Sequence, residues 1–283
     1  MSAVADQDAG PDWATSGSGW AAQGAVFDHL FRDVTARIIA TAAPVGTVLD
    51  VGCGTGALLE ATAAVGAHPV GVDISQAMID VAARRVPQAR TLVADAGTAD
   101  LRSLSDTGFD RIVSRFGVMF FDDPVAAFVN LHDAAAPGAT LTFVCWQARA
   151  DNQMFTLGTD VLAAALDPPP AKPAPGEPGP MAFADPDYVR RILTDAGWSA
   201  VEVEDFTFTS VYSRDDGSGG LTDGVDERLA VIGATSSGAL REQLGDDAWF
   251  DLLARARAAI REQVVDGVLA HDNHCWLVTA ERK

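Results

Sequence analysis

Residues 48–56 read Val-Leu-Asp-Val-Gly-Cys-Gly-Thr-Gly, and this stretch decides the fold. An apolar run leads straight into a turn in which an acid and three glycines alternate as D-x-G-x-G-x-G. Gly52, Gly54 and Gly56 permit positive φ angles and carry no Cβ, so a ligand can lie against their backbone. The pattern predicts a first strand, a ligand-binding turn at its carboxyl end and a helix that begins at Ala57.

Two further acids follow the next two apolar runs. Asp73 lies seventeen residues beyond Gly56, at the end of the second run. At that distance from a glycine-rich turn, a carboxylate can accept hydrogen bonds from both hydroxyls of a ribose. Asp95 ends the third run, which places its carboxylate beside the expected adenine, where it can accept from the exocyclic amine. The three strand ends together predict a nucleotide-like ligand at one edge of a sheet.

Apolar runs alternate with helical patterns through the first half of the chain. The predicted strands cover 47–51, 69–72, 90–94, 109–113 and 140–145, and the predicted helices begin at Ala57 or cover 76–85 and 124–135. Ser75 can cap the helix that starts at 76. Strands separated by helices in this way predict an α/β fold with a doubly wound parallel sheet and helices on both faces.

The regular alternation stops after Trp146. The remaining predictions are a helical stretch at 155–166, a proline-rich surface loop at 167–180, a helix at 187–196 that Gly197 ends, an edge strand at 200–211, two or three helices within 221–267 and a last strand at 275–280. The insertions at 147–185 and 218–267 are more material than a nucleotide-binding sheet needs, so we interpret them as parts of a cap over the substrate.

The N-terminal region supplies the third part of this cap. Apolar side chains recur at helical spacing from 23 to 41, and Asp28 and Arg32 are placed to pair across one turn of that helix. The chain is thus divided into an N-terminal segment with a cap helix (1–45), a nucleotide-binding core (46–146) and a region with the cap insertions and the last two strands (147–283). All three are predicted to form one compact unit.

Charge and apolar content limit the possible partners. Among 283 residues, 39 are acidic and 20 are basic, which gives a formal charge of −19 and a pI near 4.4. Such a field repels phosphate backbones and anionic membrane surfaces, so nucleic acid is excluded as a partner. The sequence shows neither a secretory leader pattern nor 18 consecutive apolar residues. We therefore expect a cytoplasmic protein whose three cysteines are reduced thiols.

Five segments carry a resemblance to a known family: VLDVGCGTG (48–56), GVDISQAMI (71–79), VADA (93–96), FDRIVSRFGVMFFDDP (109–124) and PGATLTFVCWQ (137–147). They resemble the class I S-adenosylmethionine (SAM)-dependent methyltransferases, and within them the ubiquinone/menaquinone-biosynthesis-like branch, also called methyltransferase type 11. The similarity extends to residues 20–23, 182–186 and 276–280, so it covers most of the chain.

The resemblance implies a Rossmann-like sheet of seven strands with the last one antiparallel, SAM as cofactor, S-adenosylhomocysteine (SAH) as product, and a small-molecule acceptor. It also implies the cofactor-binding residues. Those facing the methionine part are Asp50, Gly52, Cys53 and Gly54. Those around the ribose and adenine are Asp73, Ile74, Met78, Asp95 and Ala96. Those near the methyl group are Ser114, Arg115 and Phe116, and Trp20 and Gln23 close the site from the N-terminal side.

Two other functions remain open at this point. Gly52–Ala57 also matches the G-x-G-x-x-G/A pattern of dinucleotide sites, which would make the chain an NAD(P)-dependent oxidoreductase. Against it stand Asp50, where dinucleotide folds keep an apolar residue, the acid after the third strand, and an apolar strand at the end of the chain. The other alternative is a non-catalytic SAM- or SAH-binding module whose cap recognises a partner protein.

The catalytic residue is unknown from the sequence, with His29 as the one candidate general base because its helix borders the expected site. The other histidines, His68, His132, His271 and His274, are interpreted as solvated or capping, and no metal site is expected. An apolar or aromatic acceptor is expected because the aromatic residues fit an apolar pocket: Trp20, Phe27, Phe116, Phe120, Phe121 and Trp146.

Overall fold

The computed structural model describes residues 21, 23–165, 176–215, 217–218, 220–235, 241 and 244–283. Seven strands form one sheet: β1 (Thr47–Val51), β2 (His68–Asp73), β3 (Arg90–Val93), β4 (Phe109–Arg115), β5 (Ala135–Trp146), β6 (Ser199–Val211) and β7 (Ala270–Glu281). Their order is β3-β2-β1-β4-β5-β7-β6, and only β7 runs antiparallel to its neighbours. The predicted seven-stranded, mostly parallel sheet is confirmed, and so is the edge position of β6.

Ten described helices surround the sheet: α1 (Gly24–Leu30), α2 (Arg32–Ala42), α3 (Ala57–Ala64), α4 (Gln76–Arg85), α5 (Pro124–Ala134), α6 (Gln153–Thr156), α7 (Thr159–Ala163), α8 (Pro186–Asp195), α9 (Val225–Thr235) and α10 (Asp246–Arg261). Helices α2 and α3 pack on each other and on the central strands, α4 packs on β2 and β3, and α8 packs on α5 and β6. The last four residues of β1 are buried, as expected for a strand covered on both faces.

Local sequence chemistry explains most helix boundaries. Ser75 caps α4 because its Oγ accepts a hydrogen bond from the backbone N of Met78 at 3.5 Å. Asp123 caps α5 in the same way, and Gly197 follows α8 with a φ of +90°. These short polar or glycine residues satisfy or redirect the backbone where a helix begins or ends. The predicted edges of these elements therefore lie within a residue or two of the observed ones.

The N-terminal helix differs from its prediction. Instead of one helix from 23 to 41, α1 and α2 meet at Phe31, whose φ of −108° and ψ of 18° interrupt the helix. The ring of Phe31 packs edge-on against Trp146 with ring centroids 5.9 Å apart. The break coincides with the point where this large apolar side chain is buried in the core.

The predicted pairing of Asp28 with Arg32 is wrong. Asp28 forms ion pairs with Arg85 of α4 and with Arg115 at the end of β4, while Arg32 is exposed and pairs with Asp33 at 3.5 Å. The periodicity of the helix brings residues 28 and 32 to one face, but two arginines from elsewhere in the chain compete successfully for the carboxylate. Asp28 consequently ties α1 to the sheet.

Two elements in the second half also differ from their predictions. In place of one helix over 155–166 there are two short helices, α6, which begins at Gln153, and α7, because Gly158 between them has a φ of +79°. The last strand begins at Ala270, five residues before the predicted start. Predicted loop residues 167–175 lie outside the described residues, and the division into three regions stays a prediction. None of the described helices combines the length and apolarity that crossing a bilayer requires.

Candidate functional site

The glycine turn after β1 is held by close backbone packing at two of its three glycines. A Cβ on Gly52 would lie 2.8 Å from the Cα of Gly117, and one on Gly56 would lie 3.2 Å from the Cα of Ala82. Gly54 also has a positive φ, +52°, but a Cβ there would meet no atom within 4 Å. Gly52 and Gly56 are thus required by the fold itself, whereas the backbone of Gly54 faces open space in which a ligand can approach.

Asp73 connects this turn to the next strand end. One carboxylate oxygen accepts from the backbone N of Gly54 and the other from the backbone N of Ser75, both at 2.9 Å. Burial raises the pKa of Asp73, and the hydrogen bonds from Ser75 and Gly54 act against that rise. Because a carboxylate has about four lone-pair directions, two remain for further donors such as ribose hydroxyls.

Asp50 is a buried carboxylate without a partner. Its side chain is 2% exposed, and neither oxygen accepts a hydrogen bond within the described part of the chain. Burial raises the pKa of Asp50 to about 8, with Arg115 lowering it and Asp73 raising it further. A buried polar group without a hydrogen bond is costly, so this position suits a ligand that brings a cationic N–H donor.

The end of β4 fixes the other side of the turn. Ser114 Oγ donates to the carbonyl of Val51 at 2.7 Å and accepts from the backbone N of Gly117 at 3.1 Å. Arg115 donates to Thr35 Oγ1 at 2.8 Å and to Asp28 at 3.3 Å, while burial lowers its pKa. The Ser114 hydroxyl is therefore engaged in joining β1 to β4, and Arg115 attaches α1 and α2 to the same edge.

Phe116 begins an aromatic cluster beside this edge. It has a φ of +64°, and its ring stacks on Trp146 with centroids 4.3 Å apart and planes 3° from parallel. Phe31 packs edge-on against Phe116 at 5.2 Å and against Phe208 at 6.0 Å. We call Phe31, Phe116, Trp146 and Phe208 the aromatic wall. It joins the end of β4 to the antiparallel pair of strands β6 and β7.

The remaining predicted residues lie around the turn in different environments. Gln23 directly precedes α1, whose start touches the turn, since a Cβ on Gly24 would lie 3.0 Å from Thr55 Cγ2. The sulfur of Cys53 lies next to Gly71 in an apolar cluster with Leu59, and it is 3.9 Å from the carbonyl oxygen of Gly54. Burial raises the pKa of the Cys53 thiol, so only its backbone is suited to contact a polar ligand.

The residues predicted around adenine lie near the ends of β2 and β3. Ile74 is 42% exposed, whereas Met78 and Ala96 are buried. Asp95 is exposed, and its two oxygens accept from Gly97 N at 2.8 Å and Thr98 Oγ1 at 3.0 Å. The exposure of Ile74 leaves an apolar surface that an adenine face can cover. Trp20, also predicted here, lies outside the described residues.

His29 and His271 both have buried ring nitrogens. Nε2 of His29 is buried and makes no hydrogen bond to any described residue. The interpretation of His271 as solvated or capping is wrong: it lies inside β7, is 5% exposed, and its ring is close to the side chain of Asn273. The alternation of buried and more exposed side chains runs from 270 to 277, so a period-two pattern reaching back into this polar segment could have revealed it.

Sequence reasoning also missed a polar group of residues around His271, namely Ser210, Tyr212, Arg228 and Asn273, all at most 1% exposed. Arg228 lies three residues after the buried Val225 and four before the buried Ile232, which places it on the apolar face of α9. That spacing was the available signal, because an arginine at a core position of a helix is unusual.

Comparison with known proteins adds an independent line of evidence. Residues 48–138 match a family described as "Methyltransferase domain". The chain is 29% identical over 168 residues to the demethylmenaquinone methyltransferase of Renibacterium salmoninarum, across 56% of this chain and 69% of that protein. It is 30% identical over 185 residues to the demethylmenaquinone methyltransferase of Roseiflexus sp., across 61% of this chain and 76% of that protein.

Solved structures agree on the fold. Phosphoethanolamine N-methyltransferase 2 of Haemonchus contortus, solved in complex with S-adenosyl-L-methionine, aligns with a TM-score of 0.53 at 18% identity, across 96% of this chain and 58% of that one. The matched segment 48–138 contains the glycine turn, Asp73 and the end of β4. The sequence similarity thus covers the part of the chain where the unpartnered Asp50 and the open Gly54 lie.

Proposed function

Because this chain belongs to the class I SAM-dependent methyltransferases of the ubiquinone/menaquinone type, we propose that it transfers the methyl group of SAM to a planar aromatic acceptor that binds against the aromatic wall. Membership of this family sets aside the NAD(P)-dependent oxidoreductase and the non-catalytic binding module. The acceptor, its methylated atom and the individual site residues belong to the proposal.

The observation that carries the cofactor part is the unpartnered Asp50 beside the open face of Gly54. In SAM, the sulfonium makes the methyl group electrophilic, and the methionine part carries an ammonium group. We infer that Asp50 accepts hydrogen bonds from that ammonium while the backbone of Gly54 lies along the methionine chain. Both features are on the strand edge where ligands bind in open α/β sheets.

The other cofactor contacts follow from the neighbouring strand ends. We infer that Asp73 uses its remaining lone pairs for the ribose hydroxyls, and that Ile74 and Met78 pack on adenine beside Asp95 and Ala96. Cys53 and Gly52 contribute backbone, and Ser114 and Arg115 hold the loop that presents Phe116. Gln23 and Trp20, which comes just before the described part of the chain, are proposed to close the site.

The aromatic wall supports the acceptor part of the proposal. Phe116 follows the strand whose end lies beside the glycine turn, and its ring continues through Trp146 to Phe208. Offset or edge-on contact with aromatic rings stabilises a bound planar ring by about 1 kcal/mol per pair. The two relatives described above are named for a quinone precursor, which is likewise a planar aromatic molecule.

Catalysis in this proposal depends chiefly on position. The protein must align the acceptor atom with the methyl carbon and sulfur and exclude water, because the methyl group is already activated. His29 stays the candidate general base, since its buried Nε2 is free of hydrogen bonds to described residues and its helix reaches the glycine turn. A base is needed only when the acceptor atom carries a weakly acidic proton.

The proposal is tested by binding and transfer measured separately. Calorimetric titration should show binding of SAM and SAH and none of NADH. Transfer of labelled methyl from SAM should then be measured on naphthoquinols and catechols, with aliphatic amines and alcohols as non-aromatic comparisons. Methylation of aliphatic compounds alone would contradict the aromatic acceptor, while leaving the cofactor assignment intact.

A matched pair of variants tests the role of Phe116. Phe116→Leu should raise the KM for an aromatic acceptor at least fivefold while the Kd for SAM changes less than twofold. Phe250→Leu is the control, because Phe250 is 58% exposed on α10 and outside the wall. An equal change in KM for both variants would mean that the acceptor binds elsewhere.

A further inference from the structure

A second group of buried polar side chains lies at the far end of the aromatic wall. We call Ser210, Tyr212, Arg228, His271 and Asn273 the distal polar cluster. They come from β6, β7, α9 and the residue after β6, and each is at most 5% exposed. Polar groups in a protein interior are normally satisfied by partners, so the atoms that lack them deserve explanation.

Arg228 is a buried cation without a buried anion. Its guanidinium donates to the carbonyls of Met154 and Leu157 at 2.7–3.1 Å. Nη1 is the exception, because its contacts are the sulfur of Met154 at 3.9 Å and the Tyr212 hydroxyl at 3.5 Å, both at the limit of a hydrogen bond. Within the described ranges, no carboxylate lies within ion-pair distance, and the adjacent Glu227 is turned toward Arg214.

His271 and Asn273 supply the other unpartnered atoms. Both ring nitrogens of His271 and Oδ1 of Asn273 form no well-aligned hydrogen bond with a described residue, and the nearest polar contact of the imidazole is the Asn273 side chain, which raises the pKa of His271. Nδ2 of Asn273, by contrast, donates to Ser210 Oγ at 2.9 Å, which fixes the amide. Burial and the charge of Arg228 lower the pKa of His271 to about 4, while Asn273 and Asp272 act in the opposite direction. At neutral pH the imidazole is thus neutral and offers one donor and one acceptor.

The cluster is continuous with the aromatic wall. Cys275 of β7 is in register with Trp146 of β5, and Asn273 is in register with Phe208 of β6. Directly opposed residues share a face of the sheet, so Asn273 and then His271 continue the face that begins at Trp146. The four residue steps from Cys275 to His271 span about 13 Å at roughly 3.3 Å per step, which is close to the length of a two-ring aromatic molecule with a substituent.

We propose that the distal polar cluster binds a carboxylate or phenolate oxygen group, accompanied by a hydroxyl, on the acceptor. This inference rests on the proposed function, because it concerns the far end of the same acceptor. The guanidinium of Arg228 faces the negative charge, and the imidazole N–H of His271 donates to it. Oδ1 of Asn273 accepts from the neighbouring hydroxyl, so two of the three atoms that lack a well-formed hydrogen bond gain a partner.

The test uses two probes that differ only in charge. We expect 3-hydroxy-2-naphthoate to bind the SAH-saturated enzyme at least tenfold more tightly than 3-hydroxy-2-naphthamide, as measured by calorimetry at pH 7. Equal affinity for the two probes, or binding of neither at millimolar concentration, would overturn the inference. Failure to bind SAH would instead contradict the proposed function, so the two failures are distinguishable.

Substitutions in the distal polar cluster test whether the naphthoate probe binds there. Arg228→Met should remove the preference for the carboxylate, whereas Arg149→Met should keep it, because Arg149 is an exposed arginine paired with Asp160. Asn273→Asp is the second variant, since it is isosteric and adds a negative charge beside the buried cation. It should weaken naphthoate binding at least tenfold and leave naphthamide binding unchanged. This variant decides the question if Arg228→Met fails to fold, and an unchanged preference in it would overturn the inference.

Discussion

The sheet edge at the glycine turn, where Asp50, Gly54 and Asp73 lie, is called the glycine-turn edge. This edge and the distal polar cluster both contain buried polar atoms without a well-formed hydrogen bond, but the charges of their side chains differ. The edge presents the carboxylates of Asp50 and Asp73, whereas the cluster presents the guanidinium of Arg228. A cationic cofactor would thus bind at one end of the aromatic wall, and the anionic group of the acceptor would bind at the other end. The two regions also differ in how their residues are distributed along the sequence. The edge consists of short contiguous motifs, whereas the cluster consists of residues that are far apart in the chain.

The largest effect is expected from a substitution at Gly54, which should weaken cofactor binding at the glycine turn and leave ligand binding at the distal polar cluster almost unchanged. Gly54→Val should weaken SAM binding more than 100-fold, because the new side chain fills the open face and is strained at a φ of +52°. Binding of the naphthoate probe should change less than threefold. Calorimetric titration with SAM and with the probe measures both.

Gly66→Val is the matched control for this substitution. Gly66 also has a positive φ, +84°, and no atom lies within 4 Å of its Cβ position, but it follows α3 at the opposite end of β2. It should lower the melting temperature comparably and leave SAM binding within twofold of the wild type. Similar losses of SAM binding in both variants would mean that backbone strain, rather than contact with the cofactor, is responsible.

The next effect concerns Asp73, which both shapes the edge and is proposed to bind ribose. Asp73→Asn should weaken SAM binding roughly 50-fold, since the amide has one acceptor oxygen where the carboxylate serves two backbone donors and the ribose. Asp80→Asn is its control, because Asp80 is an exposed acid on α4 that accepts from Gln76. A change below threefold for Asp73→Asn, measured by titration, would remove this residue from the proposed site.

These two residues illustrate what the sequence could predict. The glycine turn and the acid after β2 are each encoded within a short segment of the chain, so local sequence alone predicts the strand, the turn and the helix there. The break at Phe31 was not, because it depends on rings from β4, β5 and β6 that pack around that side chain. The periodicity of apolar residues in one helix gives no sign of contacts with distant strands, so it could not predict this break.

The distal polar cluster shows the same limit more strongly. Arg228 and His271 are separated by 43 positions, and only the pairing of β6 with β7 and the packing of α9 bring them together. The histidine was assigned to a solvated segment because polar neighbours conceal the alternation of the strand. The partner of Asp28 was missed for a related reason, since local spacing could not account for Arg115, 87 residues away.

Asp50 at the glycine-turn edge and His271 in the distal polar cluster should change the pH dependence of stability in opposite directions. The pKa of Asp50 is raised to about 8 from an ordinary value of 3.8, so the folded protein without cofactor binds a proton that the unfolded chain has lost. The free energy of unfolding should therefore fall as pH rises, with Asp50 contributing a loss of about 2 kcal/mol between pH 6 and pH 8. Urea unfolding at both pH values measures the change.

Asp50→Asn isolates this contribution. Other groups titrate in the same interval, so the relevant quantity is the difference in pH dependence between wild type and variant. That difference should be about 2 kcal/mol without cofactor and should decrease with saturating SAM, because the proposed ammonium contact stabilises the ionised carboxylate. Identical pH dependence in wild type and Asp50→Asn would show that the carboxylate has another source of stabilisation.

The smallest effect is expected at His271 and has the opposite sign. Its pKa is lowered to about 4 from 6.5, so the unfolded chain takes up a proton that the folded protein does not bind as pH falls below 7. His271 should contribute a loss of less than about 1 kcal/mol in unfolding free energy between pH 7 and pH 6, and His271→Gln should abolish it. If His271→Gln also weakened SAM binding more than threefold, the two ends could not be independent sites, and the separation of cofactor and acceptor charge along the aromatic wall would be wrong.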